Sequence, residues 1–216
     1  MAAFERAVSN GYGIELDVQV TKDKLVAVFH DEDLQRMCGL DIRVANLTER
    51  DMLSAELGTS GQRIPTLQQV LDLVDGRVLL LIEIKPWVKG TKNLYAILNS
   101  LLPYQEHGIF AIQSFSPQIL GWFYKRAPLI PRGQISCGFR NERMNSIKKY
   151  LLREGKLNSI SKPDFLSYDV SDLPKEWIER KRQCGMPVLG WTAKSPEMYT
   201  QAGNFCDNII FEGFSP

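Results

Sequence analysis

The chain has 216 residues, with 26 lysines and arginines against 25 acids and a formal net charge of +1. That balance excludes a nucleic-acid-binding surface or a polybasic membrane patch, and no apolar run approaches the roughly 20 residues of a membrane helix. The length suits a single domain with a substantial core, and without the basic-then-apolar opening of a signal peptide the chain reads as soluble and cytoplasmic.

Residues 2 to 10 place Phe4, Ala7 and Val8 on one helical face, and Asn10-Gly11 makes a helix stop. Ile14-Glu15-Leu16-Asp17-Val18 then reads as a strand with its apolar residues on one face and both acids on the other. Two such carboxylates repel each other and resist burial unless a cation sits between them, and oxygen ligands select a hard one such as Mg²⁺ or Ca²⁺. After a polar turn at Thr21-Lys22-Asp23-Lys24, a second apolar run, Val26 to Asp31, carries His30 at its end. Residues 31 to 63 read as polar and irregular, with one short helical signal at Thr48, where Asp51 takes the capping-box place; the insertion is set at 19–63. Thr66 caps a helix whose stripe is Leu67, Val70, Leu71 and Val74.

Val78 to Lys85 has the pattern of a buried strand, with Glu83 and Lys85 again two apart, one acid and one base on a shared face. From there strands and helices alternate: a helix around 94–102, a strand at 110–115, a helix at 117–125, a strand at 133–135, a helix at 145–153, a strand at 165–169, a helix at 175–183, a strand at 187–192, a helix at 196–202 and a strand at 208–212. Such alternation implies parallel βαβ units. If the His30 strand belongs to the insertion, the parallel strands number seven, beginning at residues 14, 78, 110, 133, 165, 187 and 208. An eight-stranded barrel would need one more, before the opening helix. Glu15, Asp17, Glu83, Lys85, Ser114, Asp169 and Trp191 gather at strand C-terminal ends, the face on which barrels build their sites. Acids to hold a cation, a lysine to neutralise phosphoryl oxygens and a histidine to move protons together point to phosphate chemistry. Cys38, Cys137, Cys184 and Cys206 are too scattered for a zinc site or a disulfide framework. Arg36 can meet an anion or pair with Asp33 or Glu32, Asp169 can support the site from behind or cap the next helix, and Phe115 can equally be a wall aromatic, a reading that suits Trp191, flanked by Gly190 and Thr192, less well.

The series IELDV, TKD, VFHDEDLQR, IPTL, IEIK, QSF, LSYD and LGWT resembles the glycerophosphodiester phosphodiesterase family over essentially the whole chain. The resemblance implies a TIM (β/α)8 barrel with a small insertion after its second strand, here within a single domain of residues 1–216. It also implies hydrolysis of glycerophosphodiesters to an alcohol and glycerol 3-phosphate with a divalent cation. Glu15, Asp17 and Glu83 would be the metal ligands, His30 one of two acid/base histidines, and Lys85 a phosphate contact. Trp191 would form part of the apolar wall beside the glycerol moiety, with Phe115 as a further substrate-binding candidate. The family opens with a strand ending in His-Arg-Gly and a Pro-Glu-Asn-Thr turn, whereas this chain starts where that turn would end. The expectation is therefore a barrel without its first strand, poorly stable or self-associating through the open edges at 14–18 and 208–212, and slow in hydrolysis. His107, the other histidine, sits at a helix end and is expected to stabilise the helix dipole. The alternatives are a non-catalytic barrel that binds a cation and phosphodiesters or a partner, and, more weakly, a sphingomyelinase-type phospholipase.

Overall fold

The computed structural model of the protein describes residues 1–140 and 142–216 and divides into two compact units, Met1–Ile112 and Gln113–Pro216. In the first unit α1 (Ala2–Ser9) leads into β1 (Ile14–Val20), followed by β2 (Val26–Val28), the short α2 (Gln35–Cys38) and α3 (Glu49–Ser54). Then come α4 (Leu67–Val74), β3 (Leu80–Ile84) and α5 (Thr91–Leu101), while β4 (Phe110–Ser114) crosses the border between the units. The strand order is β2-β1-β3-β4. β1 runs parallel to β3 over residues 14–18 and antiparallel to β2 over residues 18–20, so β2 stays outside the parallel set as expected.

Local chemistry accounts for these elements. In α4, Gln69 N–H donates to Thr66 Oγ1 (3.2 Å) and Thr66 N–H donates back to Gln69 Oε1 (2.9 Å), a reciprocal capping box. Its stripe of Leu67, Val70, Leu71 and Val74 is buried, and each covered aliphatic side chain contributes about 1.5–3 kcal/mol. α3 begins with the same device, Thr48 with Asp51 in the glutamate place. β1 alternates between covered apolar and half-buried acidic residues, with α1 and α5 packed on it. β3 is buried at all five positions, as befits a parallel strand covered on both faces.

Two expectations fail in this unit. The strand carrying His30 ends at Val28, so the histidine lies beyond it in a bend. Residues 31–63 are not simply polar either: Leu34, Val44, Leu47, Met52 and Ala55 join Ala27, Phe29 and Ile64 in a separate apolar cluster. Their spacing follows neither period because they come from turns and short helices, which is why a periodicity search passes over them. Smaller shifts concern ends: β3 starts at Leu80 rather than Val78, and α5 at Thr91 rather than Leu94.

The second unit holds α6 (Pro117–Arg126), β5 (Arg132–Ser136), α7 (Ser146–Arg153), α8 (Asn158–Ser161), β6 (Phe165–Asp169), α9 (Glu176–Gln183), β7 (Val188–Ala193), α10 (Pro196–Ala202) and β8 (Asn208–Phe211). Its strands run β5-β6-β7-β8, all parallel. Leu166, Tyr168, Ile178, Val188 and Cys206 form a core beneath α9. α6 meets α8 closely enough that a Cβ on Gly121 would stand 2.7 Å from the Ile160 carbonyl oxygen, so only glycine fits there. All four cysteines are free thiols.

Candidate active site

Register builds the acidic part of the site. The β1–β3 pairing sets Asp17 opposite Glu83 and Glu15 opposite Leu81. Alternation keeps Glu15, Asp17, Glu83 and Lys85 on one face. Carboxylate oxygens of Glu15, Asp17 and Glu83 lie within 4.8 Å of one another, a set that could hold a metal ion. The Lys85 ammonium reaches in among them, 2.6 Å from Asp17 Oδ1 and 3.0 Å from Glu83 Oε1, with its side chain 5% exposed. The buried Glu83 Oε1 has no other partner among the described residues. Burial pushes the Glu83 carboxyl above its usual range, against the pull of Lys85 and with the help of Asp17. Burial alone would lower the Lys85 ammonium, but Glu83 and Asp17 more than offset it and hold it above its ordinary value. Desolvated acids that already collect a cation, all through oxygen, suit a hard divalent ion.

His30 stands beside this group, exposed, with its charge felt at Glu83. Its Nδ1 is 2.7 Å from Asp31 Oδ1, and Arg36 grips the same carboxylate through Nε (2.6 Å) and Nη2 (2.9 Å). Arg36 therefore pairs with Asp31, not with Asp33 or Glu32. The Arg36 hydrogen bonds, helped by His30 and opposed by burial, hold the Asp31 carboxyl down at about 2. An ionised carboxylate can only accept, so Nδ1 of His30 carries the proton, and Nε2, with no hydrogen bond among the described residues, is the nitrogen available for exchange. Beneath the bend, Gln19, 3% exposed, donates from Nε2 to Phe29 O (2.8 Å) and Asp31 O (2.6 Å) and accepts from Trp87 Nε1 (2.6 Å).

In the second unit Phe115 and Trp191 meet edge to face, ring centroids 5.6 Å apart, both half-buried. The Trp191 indole N–H is covered and has no hydrogen-bond partner among the described residues. The pair has a third member that the sequence reading missed, Phe139, with its ring 6.1 Å from that of Phe115. Phe139 follows β5 at φ +50 and is held by its neighbours: Gly138 N–H donates to Asp172, whose other oxygen is 2.5 Å from Arg140 Nη2. Asp169 accepts from Ser171 N (2.8 Å) and Oγ (2.7 Å), so it caps the turn after β6. His107 ends a 3₁₀ turn ahead of β4 with its ring against Tyr104.

A sequence model of the glycerophosphoryl diester phosphodiesterase family matches residues 1–212. A glycerophosphodiester phosphodiesterase of Bacillus altitudinis is 39% identical over 142 residues, covering 60% of this chain and 57% of that protein. The matched stretch spans about three fifths of the length of such relatives. Among solved structures, the glycerophosphodiester phosphodiesterase of Thermotoga maritima has a TM-score of 0.73 at 27% identity, covering 97% of this chain and 86% of that one. An Oleispira antarctica phosphodiesterase, solved with the product sn-glycerol-3-phosphate, has a TM-score of 0.77 at 18% identity, covering 97% and 85%. The fold is the α/β TIM-barrel type of these structures. No helix among the described residues is long and apolar enough to cross a membrane.

Proposed function

The chain belongs to the glycerophosphoryl diester phosphodiesterase family, and from that premise we propose that it hydrolyses small glycerophosphodiesters to an alcohol and glycerol 3-phosphate. The observation that carries this reading is the group of three carboxylates with oxygens within 4.8 Å of one another, set beside a histidine whose Nε2 is open. Glu15, Asp17 and Glu83 would hold a divalent cation, Mg²⁺ or Ca²⁺. When bound, that ion supplies positive charge to the phosphoryl oxygens and acidifies water.

The rest is work for the chain's own groups. Lys85 adds a buried ammonium for a phosphoryl oxygen to meet. His30 exchanges a proton at Nε2 while Asp31 keeps its ring in the right tautomer and stabilises the imidazolium. In the net reaction a water oxygen bonds to phosphorus, the bond from phosphorus to the alcohol oxygen breaks, and the alcohol leaves with a proton. Within the second unit, Phe115, Trp191 and Phe139 form an apolar cluster of edge-to-face rings. Release of glycerol 3-phosphate from glycerophosphodiesters, dependent on added Mg²⁺ or Ca²⁺, tests the reading. Glu15→Ala should abolish turnover and weaken cation binding by calorimetry, and His30→Asn should lose about 10²–10⁴-fold in rate with cation affinity kept. Unchanged cation affinity in Glu15→Ala overturns the ligand set, and equal rates for His30→Asn and the parent remove His30 from the chemistry.

A further inference from the structure

His30 projects from a bend rather than a strand, so something other than a ladder must hold its backbone. The carbonyls on either side of it, Phe29 O and Asp31 O, both accept from one side-chain nitrogen, Gln19 Nε2, at 2.8 and 2.6 Å. The amide orientation is not interchangeable, because turning it over would face an oxygen to two carbonyl oxygens and present hydrogens to the Trp87 N–H. In the observed orientation both Nε2 hydrogens and one lone pair of Oε1 are used, and the residue is 3% exposed. Gln19 also continues the side of β1 that bears Glu15 and Asp17. Its third partner, Trp87, lies two residues past Lys85 and carries the Lys85 ammonium 5.8 Å from its ring centroid.

We propose that Gln19 is a positioning residue that fixes the His30 imidazole relative to the acids of β1 and β3 by clamping the main chain on both sides of the histidine. The proposal rests on the reading of His30 as the proton-transfer group. A glutamine that merely filled space would need no such geometry: a single amide bonds to the two peptide carbonyls bracketing one side chain and to the segment that carries the lysine. Losing the clamp leaves two covered carbonyls without donors, and the bend is then free to turn the ring away from its working position.

The chain has two histidines, so selective histidine labelling followed by NMR sees only His30 and His107, the latter a reference against Tyr104. Gln19→Met keeps the volume and removes the bonds; Gln19→Glu keeps the shape and the acceptor for Trp87 but has no donor for the carbonyls. In both variants the His30 signals should shift or broaden while those of His107 stay in place. The kcat for glycerol 3-phosphate release should fall about 10- to 100-fold, with KM and cation affinity within about twofold of the parent. Parental His30 signals in the folded variants overturn the proposal, and so does a full kcat. Changes at both histidines in both variants make Gln19 a general core residue and overturn it as well. If the parent itself releases no glycerol 3-phosphate, the proposed function fails, and the His30 signals alone decide the clamp.

Discussion

Replacing Lys85 by methionine tests whether the three acids need a positive charge among them. At an effective dielectric near 20, contacts of 2.6 and 3.0 Å are each worth about 6 kcal/mol of Coulomb attraction. Dehydration of the ammonium and the carboxylates offsets most of that. What remains is the loss that follows when one partner of a buried ion pair is removed, about 3–5 kcal/mol, because the carboxylates then face one another. Methionine keeps the aliphatic volume, so little is added by a cavity. In a chain of this length the melting temperature should fall by about 6–20 °C in the presence of a chelator. Mg²⁺ or Ca²⁺ supplies the missing charge and, at about 100 times its dissociation constant, should return about 2.7 kcal/mol. Acid offers a second route. Burial already holds the Glu83 carboxyl above its usual range and Lys85 pulls it down, so losing Lys85 raises it further. A raised carboxyl stabilises the fold below its unfolded value and loses that contribution as pH rises through its folded one, so the variant should gain on the parent as pH falls. Calorimetric scans in EDTA, in each cation and across pH measure all of this. A Lys85→Met protein as stable as its parent in EDTA, or a loss that neither cation recovers, refutes the reasoning.

Asp31, held at about 2 by Arg36 and His30, stabilises the fold above the usual carboxylate range and loses that contribution as pH falls from about 4 through about 2. After allowance for solvent screening the amount is about 1 kcal/mol, and Asp31→Asn should lack this step in acid unfolding curves. Leu34, 0% exposed in the apolar cluster that also holds Phe29, should lose about 2–5 kcal/mol on truncation to alanine, read by denaturant unfolding. Cation affinity measured on Leu34→Ala should not change, because the acids belong to the β1–β3 pairing; a parallel loss would show the cluster and the acids to be one unit.

What could be read from the sequence followed from period. Glu15, Asp17, Glu83 and Lys85 stand at alternate positions in apolar runs, and a strand must put such residues on one side. The partner of Arg36 was illegible because Asp31 lies in a bend that folds back on the short α2 carrying Arg36, and the histidine fell outside its strand because of the same bend. Phe139 could not be found because its place depends on a left-handed backbone and on Asp172, far along the chain. Gln19 looked like any strand residue. Its parity with Asp17 was the available signal, and only the three bonds give it meaning.

β1 changes partners at Val18, and the two halves differ in the chain that must be gathered to form them. Val18 meets Val28, 10 residues on, while Asp17 meets Glu83, 66 residues on. Closing the longer loop costs about 1.7 kcal/mol more in chain entropy, so the hairpin can assemble from nearby residues while the acid pair waits for the segment between to be ordered. The histidine arm and its glutamine would then be native before any cation site exists, and metal added during refolding could not hasten the first step. Pulse labelling of amides during refolding would show this as protection in β2 ahead of β3, and the reverse order would mean that the distant pairing nucleates the unit.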